Sequence, residues 1–251
     1  MPFTLAHTII ASPISKLTRN KLPIMALAIG SMTPDLSRLI STEFALQSHE
    51  WKQIFQQNLL LGLFFSALWY LLYRPTLFRW FSIQDHLNIK NFSQRVRFIF
   101  YCCIALMLGN ATHNIWDGLT HLDSRTLWHF DWMQYQFSFL QKTYSAPFLL
   151  QISSSILPLP ILFWMAKIYI SKHQIKVESA QIHDFLISLF LALIAGTIAL
   201  FFYFKNLNLE MWQNHTYYFS GRILNKFSQA FLIIFTCCCL YFQLKYLKYK
   251  S

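Results

Sequence analysis

Residues 98–121, FIFYCCIALMLGNATHNIWDGLTH, begin as an apolar segment and end as a polar one that carries two histidines and an aspartate. If a helix entering at Phe98 continues to the end, His113, Asp117 and His121 lie at i, i+4 and i+8 and share one face. An imidazole and a carboxylate four residues apart can reach one divalent ion, such as zinc, manganese or iron. The stretch predicts a membrane helix with a metal site at one end. A local hydrogen bond is the alternative for such a pair.

The composition of the whole chain places this helix in a membrane protein. Of 251 residues, 55% are hydrophobic and only 12% are charged, about half the charged fraction of an average soluble domain. The net charge of +11 does not indicate nucleic-acid binding, because the basic residues lie between apolar runs without any recognised nucleic-acid-binding pattern. Their placement suits anionic lipid headgroups, so we expect membrane lipids as partners and no nucleic acid.

Apolar runs long enough to cross a bilayer occur five times, judged against the ~20 residues that a crossing needs. They lie near residues 55–73, 98–114, 147–166, 185–204 and 227–243. The third contains Pro158 and Pro160, which predict a kink. We therefore predict an all-α polytopic protein with about five transmembrane helices, preceded by amphipathic or re-entrant helices at the N-terminus.

Charge in the connecting loops predicts which ends of the helices share a side. The loop between the first two spans contains five basic residues and one acid, Asp85, so the positive-inside rule predicts that it is cytoplasmic. The basic residues are Arg74, Arg79, Lys90, Arg95 and Arg97. By alternation, residues 41–54 and 115–146 lie on the opposite side of the membrane. His49 and the segment 113–121 can therefore meet there.

The N-terminal segment has two predicted arrangements. Residues 1–21 have apolar side chains at roughly helical spacing, with Thr4 as the predicted N-cap. If residues 22–40 cross the membrane, His7 is cytoplasmic; if they form a re-entrant or interfacial helix, His7 joins the other histidines. The interrupted sequence from Gly30 to Asp35 favours the second arrangement. A carboxylate there is costly unless it is paired or coordinates an ion, and a helix cap or a salt bridge is the alternative role of Asp35.

The chain shows no internal repeat, low-complexity run or long linker, so we predict one integral membrane domain over residues 1–251. Within it, residues 1–121 carry the metal-site motifs. Residues 122–251 carry an aromatic-rich loop and three further membrane helices. The aromatic stretch at 127–144 is typical of the headgroup zone.

Several short motifs together resemble those of a known family. They are Met1–Thr4 followed by His7, Gly30–Asp35, a histidine before the first span, and His113-x-x-x-Asp117-x-x-Thr120-His121. The set resembles a bacterial membrane-protein family known only as a domain of unknown function. That family is similar to the YdjM-like membrane-bound metal-dependent hydrolases and, more distantly, to the zinc-dependent phospholipase C and P1 nuclease group. The resemblance is strongest over residues 1–121.

The resemblance implies a set of metal ligands rather than a reaction. The residues that match the motifs are His7, Asp35, His49, His113 and Asp117. They would hold a divalent metal, most simply zinc, with manganese or iron as alternatives. His121, one helical turn beyond Asp117, could ligate the metal or serve as the catalytic acid or base. The implied location is the bacterial cytoplasmic (inner) membrane.

Two classes of function remain open at this stage. The first is a membrane-bound metal-dependent hydrolase that acts on phosphoester or lipid-linked substrates at the non-cytoplasmic face. The second is a non-catalytic membrane protein whose His and Asp residues form a structural or sensing cluster. A haem cytochrome is less consistent with the sequence, since the spans lack facing mid-membrane histidines. A transporter is also less consistent, because no paired broken helices indicate inverted repeats.

Overall fold

A computed structural model describes residues 4–41, 47–139, 142–175, 181–207, 212 and 216–248. Over these residues the protein is almost entirely α-helical, as predicted. The chain opens with a 3₁₀ segment, Thr4–Ile10, and the helices are α1 (Ala11–Leu17), α2 (Ile24–Leu36), α3 (Gln57–Leu68), α4 (Arg74–Trp80), α5 (Phe92–Thr120), α6 (Ala146–Ile156), α7 (Pro158–His173), α8 (Ile182–Lys205) and α9 (Thr216–Lys248). A short hairpin pairs β1 (Gln136–Phe139) with β2 (Lys142–Ser145).

Within the described residues, five helical segments are long and apolar enough to cross a membrane, which confirms the predicted number. They are Gln57–Trp80, Phe92–Thr120, Ala146–His173, Ile182–Lys205 and Tyr218–Lys248. Each segment extends beyond at least one end of the apolar run from which it was predicted. The first continues through a π-helical turn, Trp69–Tyr73, into α4, so Arg74 and Arg79 are helical rather than in a loop. The third is divided at Leu157, directly before Pro158, where proline was predicted to kink it.

The segment after α1 is a short helix and not a sixth span. Helix α2 has 13 residues, about 20 Å at 1.5 Å per residue, which is shorter than the ~30 Å hydrocarbon core. It runs through Gly30 and Pro34 without a break, so the predicted interruption at these residues is wrong. Helix α2 ends at Leu36 and is followed by the 3₁₀ turn Ser37–Leu39. Nine of its residues are buried, because it packs along α5.

The described chain divides into two compact units. The first comprises residues up to Ser66 together with 88–165, and contains α1, α2, α5, α6 and the hairpin. The second comprises 67–87 and 166–251. Its core forms around Trp80, Cys239 and Phe242, which are buried together. Trp80 donates a 3.1 Å hydrogen bond to Tyr246, which in turn donates to Asp184.

The aromatic-rich stretch has more structure than the sequence predicts. After a 3₁₀ turn at Asp131–Gln134, Gln136 pairs with Ser145 and Phe139 with Lys142. The β1 residues are exposed, whereas in β2 Lys142 and Thr143 are exposed and Tyr144 and Ser145 are half-buried. Ser145 then caps α6 by accepting a 3.4 Å hydrogen bond from the Phe148 backbone N–H. The position of this stretch in the headgroup zone stays a prediction.

Candidate metal centre

The site is formed where α2 crosses α5 at backbone contact distance. A Cβ atom on Gly30 would lie 2.4 Å from the Leu106 carbonyl oxygen, and one on Gly109 would lie 2.3 Å from the Leu27 carbonyl oxygen. Neither helix has room for a larger residue at these positions, because the clashing atoms belong to the partner backbone. This crossing places the C-terminal half of α2 beside the polar end of α5, and so brings Asp35 near His113.

His113 is held in one orientation by the backbone of α2. Its side chain is completely buried, and its Nδ1 atom lies 2.8 Å from the carbonyl oxygen of Ser31. Because a carbonyl oxygen can only accept, Nδ1 carries the hydrogen and the neutral ring keeps its lone pair on Nε2. Nε2 lies 3.5 Å from Oδ2 of Asp117, one helical turn further along α5. This arrangement, with one ring nitrogen fixed by a carbonyl and the other free, is usual for metal-binding histidines.

The N-terminal segment contributes to the same cluster. The His7 and His113 rings are stacked at a tilt, with their centroids 4.3 Å apart. Thr4 lies within the 3₁₀ segment that precedes α1, so the prediction that it begins an α-helix as the N-cap is wrong. Its hydroxyl donates a 3.0 Å hydrogen bond to Oδ2 of Asp35. The N-terminal segment is therefore attached to the end of α2.

His49 reaches the cluster from the loop before α3. Its Nε2 atom lies 3.2 Å from Oδ2 of Asp117 and 3.8 Å from Oδ1 of Asp35. Its Nδ1 atom lies 3.1 Å from the Ser48 hydroxyl. The Ser48 carbonyl accepts a 2.6 Å hydrogen bond from the buried amide of Asn58 in α3. The first apolar span thus fixes the loop that presents His49.

Four buried atoms at the centre of the cluster lack a hydrogen-bond partner among the described residues. They are Oδ1 of Asp35, Nε2 of His49, Nε2 of His113 and Oδ1 of Asp117. Buried polar atoms of this kind are normally paired, since each unpaired one costs about 1–3 kcal/mol. All four are atoms through which His and Asp bind divalent metals. The cluster therefore fits a metal ion.

Among the residues that the structure describes, two overlapping groups of side chains have ligand atoms within 4.8 Å of one another. One is His7, Asp35 and His113; the other is His49, His113 and Asp117. Both include His113, whose single free nitrogen can bind only one ion. Zinc–ligand distances of 2.0–2.1 Å in a tetrahedron place neighbouring ligand atoms roughly 3.3–3.4 Å apart, and the N–O separations of 3.2, 3.5 and 3.8 Å are close to that value. A second ion would have to share a bridging carboxylate.

Burial keeps the histidines outside the spans in the form that binds metals. Desolvation lowers the pKa of His7 to about 4, and the neighbouring His113 acts in the same direction. Burial also lowers the pKa of His49. For Asp35 burial opposes ionisation, but the Arg38 guanidinium, 3.4 Å from Oδ1, holds the pKa below its usual value. Neutral imidazoles beside an ionised carboxylate are the protonation states that a divalent metal requires.

His121 lies at the edge of the cluster. Helix α5 ends at Thr120, and His121 is its C-cap with an extended backbone (φ −124°, ψ 140°), so the helical face does not continue to it as predicted. Its Nδ1 atom lies 3.2 Å from the Asp117 carbonyl and 3.8 Å from Asp117 Oδ1. Its Nε2 atom lies 3.0 Å from the amide nitrogen of Gln151 in α6. Burial lowers its pKa to about 4.

Arg125 is a site residue that the sequence analysis missed. Its guanidinium forms a forked contact with the carboxylate of Asp123 through Nε and Nη2, while Nη1 lies 3.4 Å from Oδ2 of the buried Asp117. In the sequence it is one basic residue in the loop that follows Thr120. The close spacing of Asp123 and Arg125 was the available signal, but nothing in the sequence shows that the loop folds back onto α5.

The structure therefore brings all five predicted ligands together in the first unit. The cluster contains His7, Asp35, His49, His113 and Asp117. The predicted catalytic residue, His121, contacts the cluster through Asp117 but belongs to neither ligand group. Placement of His7 beside His113 agrees with the arrangement in which residues 22–40 do not carry the N-terminus across the membrane.

Over its described residues, the chain is therefore an all-α polytopic protein with five helices able to span a membrane. It contains a buried His/Asp cluster that could hold a metal ion. The chain belongs to the family described as a domain of unknown function, DUF4184, whose profile matches residues 1–241. No curated protein matches the chain. No solved structure matches it either.

Proposed function

We propose that this protein is a membrane-bound metal-dependent hydrolase of the bacterial inner membrane, acting on phosphoester or lipid-linked substrates at the non-cytoplasmic face. The observation that carries the proposal is the convergence of three imidazoles and two carboxylates. Four buried atoms of these side chains have no hydrogen-bond partner among the described residues. A bound zinc ion, or manganese or iron, would supply an activated water and polarise a phosphoryl or acyl oxygen.

The residues have separate roles in this proposal. The ligands are His113 and Asp117 from α5, Asp35 from α2, His7 from the N-terminal segment and His49 from its loop. The Ser31 carbonyl orients His113, and Asn58 orients the His49 loop through Ser48. His121 is the proposed acid or base, because it contacts Asp117 at the edge of the cluster.

An amphiphilic substrate is supported by a groove beside the ligand-bearing segments. This open groove of about 730 Å³ is lined by polar residues and by apolar ones. The polar residues are Ser37, Gln53, Gln56 and Gln57, and the apolar ones are Ile40, Leu60 and Leu61. Ser37 follows Asp35 by two residues and Gln53 follows His49 by four. A lipid-linked substrate could place its head against the amides and its chain against the leucines, since α3 is the first part of a candidate span.

The alternative is a non-catalytic protein in which the cluster joins the helices or senses a ligand. One observation favours it: Arg38 and Arg125 each lie 3.4 Å from one of the two buried carboxylates. Two such ion pairs neutralise both aspartates without a metal. In this case the cluster stabilises the fold. The four buried atoms without hydrogen-bond partners among the described residues then reduce that stabilisation.

Metal content separates the two functions. His113→Ala removes a nitrogen ligand and Asp117→Asn removes an anionic ligand, so each is expected to lower the metal bound per protein by a similar, large factor. His129→Ala is the matched control, because His129 is exposed in the loop after α5. Metal per protein and folded yield are measured in detergent. If wild-type protein purified without chelator contains no zinc, manganese or iron, and binds none when offered it, the hydrolase proposal is wrong.

A further inference from the structure

Arg38 and Arg125 are placed so that they contact the cluster from two different segments. Arg38 follows Asp35 on the 3₁₀ turn after α2, with Nη2 3.4 Å from Oδ1 of Asp35. Arg125 lies in the loop after α5, with Nη1 3.4 Å from Oδ2 of Asp117. Their side chains are 27% and 23% exposed, whereas those of the two aspartates are 3% and 1% exposed. The guanidiniums therefore lie between the buried carboxylates and the surface.

Metal binding changes the net charge of the site. The carboxylates of Asp35, Asp117 and Asp123 and the two guanidiniums together carry one net negative charge, and imidazoles bind metals in their neutral form. One divalent ion therefore leaves a surplus of one positive charge, and a second ion would leave a surplus of three. A buried or half-buried charge is costly unless it is paired. In each ion pair, one carboxylate oxygen contacts an arginine. When that oxygen binds a metal instead, the arginine N–H group that it accepted from becomes available to another acceptor.

We propose that Arg38 and Arg125 bind the phosphate group of the substrate, whose negative charge offsets the positive surplus. This inference rests on the proposed metal-dependent function. Arg38 suits the role, because the planar fork of N–H groups of an arginine matches the spacing of phosphate oxygens, and Arg125 offers its Nη1 group. Asp123 is a positioning residue: it holds Nε and Nη2 of Arg125 and leaves Nη1 directed at the cluster.

The test measures phosphate binding to the metal-loaded protein in detergent by calorimetry. Wild-type protein is expected to bind inorganic phosphate when loaded with zinc and at least tenfold more weakly when stripped of metal. Arg38→Gln and Arg125→Gln are expected to keep the metal content and to weaken phosphate binding at least tenfold each. Arg125→Lys keeps the charge but loses the forked contact with Asp123 that directs Nη1 at the cluster, so it should fold if Arg125→Gln does not, and its phosphate binding should be intermediate. Arg95→Gln, an exposed arginine at the start of α5, is the matched control.

A second arm replaces inorganic phosphate with a short-chain phosphatidic acid below its micelle concentration. Tighter binding of the lipid with the same arginine dependence supports the proposal and assigns a lipid phosphate, whereas equal binding supports it and assigns a soluble phosphate compound. If metal-loaded wild-type protein binds neither ligand, or if the glutamine variants bind as tightly as wild type, this inference is wrong and the metal-dependent function stands. If wild-type protein binds no metal, both are wrong.

Discussion

The Nδ1 atom of His113 lies 2.8 Å from the carbonyl oxygen of Ser31, across the contact between two helices whose residues are 82 positions apart in sequence. This one hydrogen bond fixes the tautomer of the buried ring and directs Nε2 towards Asp117. It can form only because α2 and α5 touch at Gly30 and Gly109. The orientation of the proposed metal ligand therefore depends on how closely two helices pack.

Gly109→Ala is expected to separate these helices. The added Cβ would lie 2.3 Å from the Leu27 carbonyl oxygen and 2.7 Å from the Ser31 backbone nitrogen, and backbone atoms cannot yield without moving the helix. Overpacking of this kind costs roughly 1–3 kcal/mol. We expect a lower thermal midpoint in detergent and at least tenfold weaker metal binding.

Gly221→Ala is the matched control for this change. A Cβ at Gly221 in α9 meets no described atom within 4 Å. Alanine is the better helix former by up to about 1 kcal/mol, so the thermal midpoint should stay the same or rise and metal binding should not change. Equal behaviour of the two alanine variants would contradict the importance of the α2–α5 contact.

Asn58→Ala is expected to weaken metal binding without removing a ligand. The change leaves the buried Ser48 carbonyl without its 2.6 Å hydrogen bond, and the loop that carries His49 loses its anchor on α3. Loss of a supporting contact typically lowers metal affinity about 10- to 100-fold. Zinc affinity is measured by competition with a chromogenic chelator. Asn206→Ala, which removes an exposed amide bonded within its own helix, should bind zinc as wild type does; a normal affinity for Asn58→Ala would contradict the role assigned to Asn58.

The metal-free protein is expected to lose stability as the pH falls from about 6.5 to about 4. The pKa values of His7 and His121 in the folded state are about 4, below the value of 6.5 for an exposed imidazole, so the unfolded chain binds more protons in this interval. Each group can contribute up to about 1.4 kcal/mol per pH unit. Above pH 6.5 neither group should contribute to the slope.

The measurement is the thermal midpoint of chelator-treated protein in detergent at several pH values. His7→Asn and His121→Asn should each reduce the decline between pH 6.5 and 4, while the exposed His129→Ala should leave it unchanged. A midpoint that is constant across this interval would show that the two imidazoles are not desolvated in the folded protein.

The membrane topology is expected to follow the basic residues between the first two spans. A reporter fused near residue 85 should be cytoplasmic, and one near residue 135 should lie on the opposite side, because Lys90 and, at the start of α5, Arg95 and Arg97 are accompanied by only one acid, Asp85. Reporter activity in whole cells on each side is the measurement. The same location for both reporters would contradict the five-span arrangement.

The sequence by itself determined the fold class, because the free energy of placing an apolar segment in a membrane depends on the composition of about twenty consecutive residues. The number of candidate spans and the break before Pro158 follow from such local information. The same holds for His113 and Asp117, since two residues that are four positions apart on one helix lie on the same face. The motifs also identified all five residues that the structure brings together, although they lie in four separate segments.

Only the tertiary structure decided the arrangement of those segments. Gly30 and Pro34 read as an interruption, but α2 continues through them, because glycine there permits contact with α5 and burial against α5 stabilises the helix. The helix that was expected to include His121 ends one residue earlier, where the His121 ring meets Gln151. The ion pair of Arg125 with Asp117 depends on a loop folding back onto its own helix. Such contacts join residues that are distant in sequence or separated by a turn, and periodicity and composition carry no information about them.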